Sequence, residues 1–201
     1  MIILMANQKG GVGKSTLTIL LANYFSSKGQ EIHIIDLDNQ QSVNDIYNKS
    51  IEQGWSNPLI TCEKESKLPR LNSNRYKQKL ILIDLPGRLD NQQLKTLLKQ
   101  ADIIVCPFLF DPISFKSTLV FAQLCQFLAP DGKIFFLPNR IKSTVKEQNE
   151  GPIRKILLQF GELLPRIPDL VCFQRVSSFS TTQEQVQKSK NAFDFLYHSI
   201  Q

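Results

Sequence analysis

Short runs of consecutive apolar residues alternate along this chain with stretches in helical spacing. The first run, residues 2–6, reads as a strand. Leu17, Leu20, Leu21 and Tyr24 then recur at helical intervals, which predicts a helix over residues 15–28 stopped by a left-handed Gly29. Residues 31–36 predict a second strand around Ile34 and Ile35, and Ser42 is placed to cap a short helix over residues 43–48. Between residues 51 and 79 the pattern is weak and broken by Gly54, Pro58 and Pro69; one edge strand is expected at residues 59–62. The LILIDLPG run, residues 80–87, is a strong buried-strand signal ending in Asp84 and a Pro-Gly turn. A helix over 90–100 follows, then a strand over 101–108 that Pro107 is expected to end. Ser114 is the expected cap of a helix reaching Leu128, closed by Pro130-Asp131-Gly132. A strand over 133–137 leads into Pro138-Asn139-Arg140. Thr144 is the expected cap of a helix over 145–160, broken or restarted at Gly151-Pro152. Leu163-Leu164 predict a last short strand, and Pro165 and Pro168 keep the next stretch open. The closing helix, residues 182–199, is expected to turn Val186, Phe193, Leu196 and Ile200 inward.

Consecutive apolar residues suit parallel strands buried on both faces. Their alternation with helices predicts an α/β fold: an open, mostly parallel sheet with helices on both faces, three layers in all. No linker or repeat divides the chain, so residues 1–201 are expected to form one domain. In such sheets ligands bind beyond the carboxyl ends of the strands. A glycine-rich loop, Asp36, Asp38, Asp84 and Asn139 all fall at predicted strand ends, although they come from separate parts of the chain.

Composition narrows the function classes. A net charge of +6 admits a polyanion partner. The basic run Lys64, Lys67, Arg70, Arg75, Lys77 and Lys79 reads first as a solvated surface. Cys62, Cys106, Cys125 and Cys172 have no CxxC spacing and read as reduced, packed thiols, not as a metal or cluster site. His33 lies inside a predicted strand and reads as structural. The N-terminal apolar run is too short for a signal peptide or membrane span, which points to a cytoplasmic protein.

The chemistry concentrates in KGGVGKST, Lys9 to Thr16. Strand, glycine loop, helix is the context of a phosphate-binding loop. Gly10, Gly11 and Gly13 let successive backbone N–H groups, including those around Val12, face phosphate oxygens in front of a helix N-terminus. Lys14 would reach the β- and γ-phosphates of ATP, and Ser15 would place its hydroxyl on Mg²⁺. The plain pattern GxxxxGK[ST] wants glycine at position 8; here it is Gln8, followed by a second lysine, Lys9. A lysine at the loop entrance can reach phosphates held by a facing copy, which would make ATP the glue of a homodimer. Asp84, after four apolar residues, stands at the position that orients Mg²⁺. The residue after it is Leu85, not a catalytic Glu, so the group that activates water must come from elsewhere. Asp38, further past its strand, is better placed for that than Asp36, which more naturally supports the loop or the metal shell. Few catalytic groups imply slow turnover.

Taken together, these residues resemble the ParA/MinD group of deviant-Walker ATPases. KGGVGKST matches that group's signature-lysine loop, IIDLDNQQS resembles its second motif with Asn39 in place of a proline, and LILIDLPG resembles its third. The likeness covers nearly the whole chain and is greatest to short ParA partition proteins, because the loop begins so near Met1. The resemblance implies the P-loop NTPase fold of the SIMIBI type. It implies Lys9 as cross-dimer lysine, Lys14 as phosphate lysine, Ser15 as Mg²⁺ ligand and Asp38 as positioner of the attacking water. It further implies that Asn139, with Arg140 beside it, reads adenine, and that the loop containing Pro168 closes over the base. It also implies a dimer on ATP binding, non-specific DNA binding, nucleoid association, and a ParB-like centromere-binding adaptor that stimulates hydrolysis. Arg140, Lys142, Lys146, Arg154, Lys155, Arg166 and Arg175 supply positive charge for phosphate contacts.

Other functions compete. A MinD-like membrane-cycling ATPase needs a basic amphipathic tail, and residues 193–201 contain no lysine or arginine, which argues for no membrane partner. A metabolic synthetase of the dethiobiotin type would need a dedicated substrate pocket. An iron-protein relative would need paired cluster cysteines. A ParA-like regulator of conjugation or mobile-element transfer is separated poorly from partition by sequence.

Overall fold

The computed structural model describes residues 1–38, 42–65, 76, 79–87, 89–129, 132–142, 150–174 and 176–201. Seven strands, β1 (Ile2–Met5), β2 (Ile32–Asp36), β3 (Ile60–Lys64), β4 (Leu80–Asp84), β5 (Ile103–Phe108), β6 (Lys133–Pro138) and β7 (Glu162–Leu163), form one sheet in the order β3-β2-β4-β1-β5-β6-β7. Every pairing is parallel. The helices are α1 (Lys14–Ser27), α2 (Ser42–Glu52), α3 (Asn91–Gln100), α4 (Pro112–Leu128), α5 (Glu150–Leu157), α6 (Val171–Gln174) and α7 (Gln183–Ser199).

The consecutive apolar runs become β2, β4 and β5, buried at every position. Successive side chains of each strand enter two separate cores. One core joins the sheet to α1, α2 and α7 through Leu21, Phe25, Val43 and Phe193. The other joins it to α3, α4 and α5 through Leu97, Phe121, Cys125 and Leu157. This is the expected three-layer α/β arrangement, with helices on both faces. The chain reverses direction across the sheet at β1, which lies between β4 and β5. A crevice therefore opens beyond its carboxyl end, where the glycine loop begins.

Several local expectations change. Ser42 does not cap α2; it is the helix's first residue, and the carboxylate of Asp36 accepts from the N–H groups of Val43 and Asn44. Ser114 does not cap α4 either. Asp111 does, accepting from Ile113 and Ser114, while the Ser114 hydroxyl accepts from the Leu109 N–H. In both places a carboxylate upstream of the serine reaches the free N–H groups of the first turn. Pro107 does not end β5, which continues to Phe108 with Pro107 opposite Leu137. The edge strand is shifted to residues 60–64. Gly151-Pro152 lies within the first turn of α5, where a missing N–H costs nothing. Thr144 and the Pro130-Asp131 turn lie outside the described residues. Helix α7 begins one residue later than expected, because Thr182 is its cap, completed by Gln185, and it buries Phe193 and Leu196 as expected. Val186, expected to point inward, is instead exposed. His33 is structural as expected: its ring nitrogens bond Thr61 and Glu63 at 2.8 Å across the β2–β3 pair.

Candidate functional site

The loop between β1 and α1 is held by side chains that look unremarkable in sequence. Asn7 is nearly buried; its Nδ2 donates to the Pro107 carbonyl at 2.8 Å and to the Thr118 hydroxyl at 3.0 Å. Its Oδ1 accepts from the Lys9 N–H at 2.9 Å. One amide thus ties the start of the loop to β5 and α4. Gly11 and Gly13 take φ of 76° and 91°, closed to most other residues. Gly13 has a second reason to be glycine, since a Cβ there would collide with Asn139 Nδ2.

Asp84 ends β4 beside Asp36 and Met5. Its carboxylate is fully buried and accepts from Ser15 Oγ at 2.7 Å and Thr18 Oγ1 at 3.1 Å. Burial pushes its pKa from the usual 3.8 up to about 7; the neighbouring Asp36 adds to that, while Ser15, Lys14 and Thr18 oppose it. Lys14 is also mostly buried, with Nζ at 3.5 Å from the Lys9 carbonyl. Burial lowers its pKa, against the pull of Asp84 and Asp38. Both charges are thus stripped of water and incompletely compensated, which suits a ligand carrying an anion for Lys14 and a cation for Asp84.

The described residues contain no cluster of three or more His, Cys, Asp or Glu fit to hold a metal. A hydroxyl and one carboxylate fit Mg²⁺, which keeps several waters and takes its remaining ligands from phosphate. Asp36 spends both oxygens on backbone, at 3.0 Å to the Asp38 N–H and 3.1 and 2.9 Å to those of Val43 and Asn44. This is the loop-supporting half of its expected role. Burial raises its pKa too, and the three N–H donors resist the rise.

A cleft of about 710 Å³ opens beside the loop. Gly10, Gly11, Gly13, Lys14, Ser15, Thr16, Asp38, Asn139, Arg140 and Pro168 all line it. Val12 contributes its backbone: its side chain is buried and its carbonyl accepts from Asn139 Nδ2 at 2.8 Å. Half of the Asn139 amide is therefore engaged in bracing the loop. Lys9 does not line the cleft of its own chain. Arg140 has a positive φ of 56° and straddles the cleft mouth, 3.4 Å from the Gly11 carbonyl and 3.6 Å from Asp169. Leu17, Ser42, Pro86, Gly87, Asp169, Phe173 and Gln174 complete the wall. Asp169 belongs to the turn expected to close over the base, but sequence reasoning gave no role in the site to Pro86, Gly87, Phe173 or Gln174, nor to Asn7 and Thr18. Thr18 had a signal, because it lies one helical turn beyond Ser15 and faces the same way. Phe173 had none, since the short helix α6 that carries it was not foreseen.

Among the described residues, the basic side chains named from sequence fall in different settings. Arg154 pairs with Glu150 at 2.8 Å and lies over the Phe110 ring. Arg166 lines a separate groove of about 600 Å³ with Lys188 and Lys190, which sequence reasoning had not singled out. Pro168 and Ile141 form part of that groove, so Pro168 walls both the groove and the cleft. Lys146 and Arg175 lie outside the described residues, as do Asn39 and Gln40 of the second motif.

Fold and site together define a P-loop nucleotide-binding α/β protein. Within that class, residues 3–181 match the CobQ/CobB/MinD/ParA nucleotide-binding domain, and the chain belongs to that family. It is 23% identical over 130 residues to Protein ParA of Rhizobium radiobacter, a stretch covering 65% of this chain and 57% of that protein. The chain thus spans little more than half the length of that relative. Its fold is similar to that of a Borrelia burgdorferi B31 plasmid partition protein bound to AMPPNP, with TM-score 0.80, 21% identity and 98% of each chain covered. It is equally similar to apo McdA from Cyanothece, with TM-score 0.80, 15% identity, and coverage of 100% of this chain and 99% of that one. At such identities the likeness speaks for the fold alone.

Proposed function

We propose that this chain is a ParA-type ATPase of DNA segregation, cytoplasmic and nucleoid-associated. In this reading ATP joins two copies face to face, the dimer holds duplex DNA without sequence preference, and slow hydrolysis stimulated by a ParB-like adaptor releases it. The observation that carries the nucleotide half is the join of loop and fourth strand, with Ser15 and Thr18 hydrogen-bonded to a buried Asp84 and Lys14 beside them.

Lys14 holds the terminal phosphates, while the loop N–H groups and the α1 N-terminus orient them. Ser15 and Asp84 would hold Mg²⁺, which when bound would neutralise charge on the phosphates. Asp38 lines the cleft beyond β2, its backbone fixed by Asp36, and there positions the water that attacks the γ-phosphorus. Lys9, which does not line its own cleft, serves the cleft of the facing copy.

What supports the DNA half is the groove of Arg166, Lys188 and Lys190, which shares a wall with the nucleotide cleft. Contacts of lysine and arginine with phosphate are sequence-independent and salt-sensitive. No described helix is long and apolar enough to cross a membrane. The test is retention of unrelated duplex DNAs at low salt. The ATP-bound protein is expected to hold them all alike and to release them on raising the salt. Failure to retain any duplex with ATP bound overturns the DNA half.

A further inference from the structure

Each half of the phosphate loop is held by a different asparagine. Asn139, just past β6, donates to the Val12 carbonyl at 2.8 Å and stands against Gly13, so it braces the half that cradles phosphate. Asn7, two residues past β1, takes the entrance half. The partners of Asn7 leave its amide one orientation. The Pro107 carbonyl can only accept. The Thr118 hydroxyl gives its own proton to the Ser114 carbonyl at 2.8 Å, so it also accepts from Asn7. Both amide hydrogens are thereby used, and the oxygen is turned to the Lys9 N–H at 2.9 Å. Alanine or serine would leave the Pro107 carbonyl without this donor, and aspartate would set an oxygen against it.

The Lys9 backbone has two hydrogen bonds among the described residues. Its N–H donates to Asn7, and its carbonyl accepts from Lys14 Nζ at 3.5 Å. The second is long, and it is made by the amine that a phosphate draws away. Once Lys14 turns to a nucleotide, Asn7 is the restraint that remains on Lys9. That restraint is rigid, because Asn7 is 3% exposed and tied to β5 and α4.

We infer that Asn7 is a positioning residue for Lys9: by fixing the Lys9 N–H against β5 and α4, it aims the Lys9 side chain out of its own cleft and toward the nucleotide of a facing copy. A lysine stem is flexible. Anchoring its root lowers the ordering cost of reaching across an interface. Asn7 therefore acts on the association of two copies, while Asn139 and the glycines serve the hold of one copy on its own nucleotide. The inference rests on the reading of Lys9 as the amine that crosses the dimer.

Two constants separate this role from a merely structural one. Dimerisation of the full chain with Mg·AMPPNP is followed by sedimentation, and Mg·ADP binding by calorimetry. Asn7→Ala should raise the dimer dissociation constant about tenfold and leave the ADP dissociation constant within about twofold of wild type. The variant will melt lower, since it loses three hydrogen bonds, but a looser fold by itself does not split the two constants. Asn7→Ser keeps a hydroxyl that can accept from the N–H two residues on, and should recover most of the lost association. ADP affinity that falls in step with dimerisation would mean that Asn7 holds the whole loop, and overturns the inference. So does an Asn7→Ala chain that dimerises like wild type, or an Asn7→Ser chain no better than Asn7→Ala. A wild-type chain that binds AMPPNP yet stays monomeric overturns the reading of Lys9 itself, and the inference with it.

Discussion

Asp84 gives the sharpest check on the electrostatics of the site. In metal-free protein its carboxylate is fully buried between Ser15 and Thr18, and its pKa rises from 3.8 to about 7. The folded state therefore holds a proton that the unfolded chain has already released, and stability must fall as pH rises between those values. At about 1.4 kcal/mol per pH unit, the span from pH 5 to pH 7 removes on the order of 3 kcal/mol through this one group. For a chain of this length that is roughly 6–12 °C in melting temperature. Asp84→Asn keeps the shape and removes the ionisation. It should melt higher than wild type at pH 8 in EDTA and lose most of that pH dependence. Mg²⁺ and ADP should then stabilise the variant much less than wild type, because the group that orients the ion is gone. Thermal melts from pH 5 to pH 8, with and without Mg·ADP, decide the matter. A variant with the wild-type pH slope, or one less stable than wild type at pH 8, would refute the claim that burial holds this proton.

The two lysines of the loop should separate cleanly. Lys14→Ala is expected to abolish ATP binding in calorimetry, whereas Lys9→Ala keeps nucleotide but stays monomeric with ATP in sedimentation. Asp38→Ala should still dimerise yet hydrolyse poorly, accumulating a trapped dimer; a monomer in saturating ATP contradicts its role. Asp36→Ala leaves the first turn of α2 without its acceptor and should cost about 2 kcal/mol, lowering the melting temperature by roughly 4–8 °C. An unchanged melt would mean that the Val43 and Asn44 N–H groups find another partner.

Much of this molecule was legible in its order of residues. Consecutive apolar runs announced parallel strands because a strand covered on both faces has no polar side to alternate with. KGGVGKST announced a phosphate loop because its glycines, lysine and serine act through backbone geometry within a single turn of chain. Local chemistry of that kind survives in a linear string. Contacts between residues far apart do not. That Asn7 would hang the loop on Pro107 and Thr118, that Asp36 would cap a helix begun six residues later, or that Asn139 would stand so close to Gly13, depended on strands meeting side by side. The same holds for charge. Asp84 and Lys14 have ordinary identities in the sequence, and only packing, by removing their water, makes one reluctant to lose its proton and the other readier to give one up.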